Sequence, residues 1–160
     1  MTARRVGAAA LAAALAAALT ALSGCGGGSH EAPSLSRLPL APGAQITVRQ
    51  QVCDTGTAAF CAWELVVVGS GYRDSDALFA AEHRHLLKLG WSGAGGDIGD
   101  EHAADSPGHK LRLTYATPTG DLKGIDLGSI RRSRPVTLAL SRALFAHAPV
   151  LSMLLEQGSS

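Results

Sequence analysis

Between Arg5 and Cys25 the chain has no charged residue, and residues 6–22 are Ala, Leu, Val, Gly and a single Thr. A run of this length without a polar side cannot form the surface of a small water-soluble fold, so it must enter a bilayer, be removed, or both. Arg4 and Arg5 precede it with no acid beside them. Such a basic end stays on the cytoplasmic side while the apolar run inserts, which is the pattern of a secretory signal peptide. A retained transmembrane helix is the alternative, but the 17 residues of the run, mostly Ala, are at the short end of what spans about 30 Å of hydrocarbon. The fold must therefore come from the residues that follow.

The end of the run is Leu22-Ser23-Gly24-Cys25. This resembles the lipobox of bacterial lipoproteins processed by signal peptidase II, such as the small lipoproteins of GC-rich Gram-positive bacteria. The resemblance implies a diacylglycerol thioether on Cys25, cleavage of the Gly24–Cys25 bond, and an acylated N-terminus on the extracytoplasmic face of the cell membrane. Small residues at the cut, a thiol acceptor and the tract Gly26-Gly27-Gly28-Ser29 suit that chemistry, and two acyl chains anchor durably where one is marginal. The expected organisation is a signal peptide over residues 1–24, a lipidated Cys25 with a flexible tether to residue 43, one domain over residues 44–156, and a disordered tail over 157–160.

Without residues 1–24 the chain has 12 basic and 13 acidic residues, a formal charge of −1. That balance offers no electrostatic footprint for nucleic acid and no basic patch for lipid headgroups, so the membrane contact is left to the covalent lipid. With Cys25 assigned to lipid, Cys53 and Cys61 remain. In an oxidising compartment their default is a disulfide, here across the mouth of a hairpin. A metal pair or a redox dithiol is the other reading, but the CxxC spacing is absent.

Residues 45–53 alternate with Ile46, Val48 and Val52 on one side and read as a strand. Residues 58–68 read as a second, with Cys61, Trp63, Leu65 and Val67 on one face and Glu64 on the other; the closing Val66-Val67-Val68 is apolar both ways and suggests a central position. Asp74 or Ser75 caps a helix to about Leu89, closed by Gly90 in the left-handed conformation with Trp91 folding back on Leu86. Residues 92–108 read as a long loop, 109–117 as a strand with Leu111, Leu113 and Tyr115 inward, 118–120 as a turn, and 122–127 as a short edge strand. From Pro135 to about Glu156, Val136, Leu140, Leu144, His147, Leu151 and Leu154 fall at helical spacing, in a helix kinked or split at Pro149. The order ββαβ(β)α predicts an α+β fold, a small antiparallel sheet with helices on one face and one disulfide.

No nucleophile elbow, P-loop, zinc-protease or dinucleotide motif is present. The glycine run at 93–96 follows a helix, not a strand, which argues against phosphate cradling. Three polar groupings remain. Asp97, Asp100, Glu101, His102, Asp105 and His109 gather oxygen and imidazole donors that could serve Ca²⁺ or Zn²⁺, though a solvated loop has the same composition. Glu82 and His85 share the apolar stripe of the first helix in an E-x-x-H arrangement, with His147 as a possible third member. Arg131, Arg132 and Arg134 cluster at the start of the last helix. Leu138 and Phe145 lie on one line along that helix, opposite its core stripe, and suit a partner surface. The expected function is a lipid-anchored binding or protein-interaction module outside the cytoplasmic membrane, with an envelope protein as its partner and with no catalytic residue or cofactor. A small metal-dependent or acid/base enzyme of the cell envelope is the alternative.

Overall fold

The computed structural model describes residues 31–53, 60–93, 101–122 and 132–158. After a single 3-10 turn, Leu35–Arg37, the elements in chain order are β1 (Ala44–Cys53), β2 (Cys61–Gly69), α1 (Ser75–Lys88), β3 (Ser92–Gly93), β4 (Glu101–Asp105), β5 (Leu111–Ala116), α2 (Pro118–Leu122), α3 (Arg134–Phe145) and β6 (Val150–Gln157). The strands form one antiparallel sheet in the order β1-β2-β6-β5-β4-β3. The class is α+β, as expected. Cys53 and Cys61 are paired residues of the β1–β2 ladder, and their sulfurs are bonded at 2.11 Å. The hairpin connection around Asp54 lies outside the described residues.

The helices divide between the two faces of the sheet instead of sharing one. Leu65 and Val67 of β2 lie with Leu113 and Tyr115 of β5 and Leu151, Met153 and Leu155 of β6, and this face packs against Leu78 and Leu86 of α1. Val66 and Val150 point the other way, against Val136 and Leu140 of α3. The run of three valines in β2 is therefore apolar because both faces are covered. In β1 the register shifts between Ile46 and Val48. Ile46 consequently joins the α1 side and Val48 the α3 side, where regular alternation predicts one face for both; a bulge reverses the parity of the strand.

Two expectations about elements are corrected. The segment expected as a kinked helix to Glu156 divides at Pro149: α3 stops at Phe145, and residues 150–157 are β6, placed between β2 and β5. Proline removes a helical donor and clashes with the preceding turn, and residues 150–155 are buried on both faces, which a surface helix is not. The loop expected over residues 92–108 contains β3 and β4; a turn with left-handed Gly108 and His109 joins β4 to β5, and Ser106 Oγ accepts from Leu111 N at 2.9 Å. The expected edge strand at 122–127 falls partly on Leu122, the last residue of α2, and otherwise outside the described residues.

Residues 33–42, read as tether, lie on the domain. Trp63 Nε1 donates to the Pro33 carbonyl, Tyr72 Oη donates to the Pro42 carbonyl, each at 2.8 Å, and Leu38 and Ala41 are buried. At the other end, Gln157 pairs with Leu111 and Gly158 N donates to Lys110 O at 3.0 Å, so the sheet extends into the expected tail.

The α1 boundaries agree with the sequence. Asp74 Oδ1 accepts from Ala77 N at 2.7 Å, capping the start. Gly90 takes φ 78°, with Gly90 N bonded to Leu87 O and Trp91 N to Leu86 O. This is a Schellman closure, and Trp91 is buried beside Leu86.

Candidate functional site

Glu82 projects from α1 beneath the docked N-terminal segment and is fully buried. Its Oε2 accepts from Ala41 N at 2.8 Å. Burial raises its pKa to about 7, and the Ala41 hydrogen bond offsets part of that rise. The carboxyl thus ties Ala41 to the helix and changes charge near neutral pH. His85 is partly exposed on the next turn.

His147, expected on the same functional set, belongs to another part of the molecule. It is exposed, with φ 52°, directly after the Ala146 cap of α3; His147 N bonds Leu144 O and Ala148 N bonds Ala143 O. Its role is the left-handed residue of a helix terminator, normally a glycine position. It borders an open groove of about 240 Å³ lined also by Asp74, Asp76, Thr117, Thr119 and Leu144. Glu82, His85 and His147 do not form one site.

The acidic loop separates as well. Asp97 and Asp100 lie outside the described residues. Glu101, His102 and Asp105 fall in β4, where alternation puts His102 and Asp105 on opposite faces. Asp105 lies 3.1 Å from Arg112 Nε and 3.5 Å from His109 Nδ1. Glu156, paired with Arg112 across the sheet, is pushed up by burial, pulled back by Arg112 and raised again by Asp105. His102 is on the other face, paired with Tyr115. Among the described residues no three His, Cys, Asp or Glu side chains gather as metal ligands.

His102 instead meets α1. Its ring centre is 4.9 Å from that of His83 and 4.9 Å from that of Phe79, and Tyr115 Oη lies 2.8 Å from His83 Nδ1. Sequence reasoning missed His83 because it sits one residue beyond the buried stripe position of Glu82. The signal available was Phe79 and His83 at i,i+4, one line on a helix surface.

The arginine cluster also has a partner within the fold. Arg131 lies outside the described residues, but Arg132 approaches buried Glu64 at 3.9 Å, and Ser133 N donates to Glu64 Oε2 at 2.9 Å. A carboxylate at the start of α3 complements its dipole, and Glu64 of β2 supplies one beside Arg132 and Ser133.

Leu138 and Phe145 are 46% and 89% exposed, on the side of α3 turned from the sheet. Leu144, expected in the core stripe, is exposed too. Cys25 lies outside the described residues, and among those described no helix is long and apolar enough to cross a membrane. No protein-family model, curated protein or solved structure matches the chain.

Proposed function

We propose that the chain is a lipid-anchored interaction module on the extracytoplasmic face of the cell membrane, held there through Cys25 and presenting its domain to an envelope protein. The observation that carries the reading is the division of the three cysteines. Cys53 and Cys61 are bonded to each other, the state favoured in an oxidising compartment. The third follows Leu22-Ser23-Gly24 at the end of an uncharged run. The solvent side of α3, with Leu138 and Phe145, is the face we assign to the partner. The reading gives no residue a catalytic role.

Fractionation of a bacterial host expressing the chain tests the anchor. Wild type is expected in the membrane fraction, and Cys25→Ala in the soluble fraction or as an uncleaved precursor. A Cys25→Ala chain still membrane-bound and cut after Gly24 overturns the proposal.

A further inference from the structure

Helix α1 and strand β4 bring together two imidazoles that are far apart in the chain. The His83 and His102 ring centres are 4.9 Å apart with planes inclined at 59°. Two imidazoles on one ion have nearly fixed ring spacing. With metal–nitrogen bonds of about 2.0–2.1 Å and about 1.1 Å from nitrogen to ring centre, the centres are about 4.5 Å apart at a right angle and about 5.2 Å apart at the tetrahedral angle. The observed spacing lies between these limits.

A second observation concerns tautomer and orientation. His83 Nδ1 lies 2.8 Å from Tyr115 Oη. When Nδ1–H donates to that oxygen, Nε2 keeps its lone pair, and a partner of this kind on the far ring nitrogen is what orients ligating histidines in metal sites. Phe79 braces both sides, its ring centre 4.9 Å from His102 and 5.2 Å from Tyr115. Both histidines remain partly open to solvent.

We infer that His83 and His102 form a two-imidazole site for a borderline divalent transition-metal ion of the Zn²⁺ type, with Tyr115 as a positioning residue and water completing the coordination. Imidazole suits zinc, copper and nickel over the hard cations that carboxylates select. The ion cross-links α1 to the outer part of the sheet. This inference is independent of the lipid anchor.

The test is calorimetric titration of the full chain in detergent with ZnCl₂ at pH 7.5. One ion per chain is expected. His83→Gln and His102→Gln should each abolish saturable binding, while His85→Gln and His109→Gln bind as wild type. Tyr115→Phe should weaken binding about 10–100-fold, the usual range for an orienting partner, with an unchanged far-ultraviolet spectrum. Absence of binding by wild type, or unchanged binding by the first two variants, overturns the inference. Footprinting of unmutated protein covers the case in which a variant misfolds: zinc should protect His83 and His102 together from diethyl pyrocarbonate. Protection confined to His85, His109 or His147 contradicts the site.

Discussion

Glu82 illustrates how far a single residue can be read. Helical spacing placed it on the buried stripe of α1, and the structure agrees. The partner, Ala41 N, was invisible because nothing in the Pro-containing segment before β1 marks it as packed. The consequence is a pH dependence with a definite sign. A carboxyl at about 4.5 unfolded and about 7 folded binds more protons in the native state between those values. Stability from this group is therefore complete below pH 4.5, declines as pH rises through 7, and levels above it, by up to about 3 kcal/mol. Glu82→Gln keeps an acceptor for Ala41 N and removes the titration. Urea unfolding at pH 5 and pH 8 should give a smaller difference for the variant than for wild type. Equal differences would show that Glu82 titrates as an ordinary surface carboxyl.

Among the elements, β1, β2, α1 and β5 were legible because their apolar periods are unambiguous and caps or turns bound them. The segment after α3 was not. Residues 150–157 are mostly Leu, Met, Ser, Glu and Gln with one β-branched residue, a composition that favours helix. Only burial on both faces, a tertiary property, makes it a strand. The same misreading put His147 on a helical stripe, whereas it closes α3 with φ 52°. A left-handed backbone is costly for residues with a Cβ, so His147→Gly should leave stability unchanged or raise it by about 0.5–1 kcal/mol in thermal melts. A loss above about 1 kcal/mol would mean that the imidazole makes a contact of its own. Leu138 and Phe145 lie outside the three hydrophobic clusters among the described residues, on α3's open side. Their joint replacement by Ser and Gln should alter stability by less than about 0.5 kcal/mol, against about 2–5 kcal/mol for core truncations. A loss in the core range would remove them as a partner surface.

At the scale of the whole molecule, one sheet is covered by α1 on one face and α3 on the other, with β6 near its centre and the N-terminal segment fastened over α1. The antiparallel α+β class was legible from alternating strands joined by short turns. The two-sided arrangement was not, since it depends on β6 and on the β1 bulge. The disulfide closes a nine-residue loop, for which chain entropy alone gives about 2.6 kcal/mol. Replacing Cys53 and Cys61 with Ala should lower unfolding stability by about 2–3 kcal/mol and leave the far-ultraviolet spectrum unchanged. An unchanged stability would mean that the bond fixes little of the unfolded chain. Intact and peptide mass spectrometry of the chain isolated from bacterial membranes tests the central claim most directly. The account predicts a mature N-terminus at Cys25 carrying a diacylglycerol thioether, with Cys53 and Cys61 linked to each other. A chain retaining residues 1–24, or beginning at Cys25 with a free thiol, would contradict it.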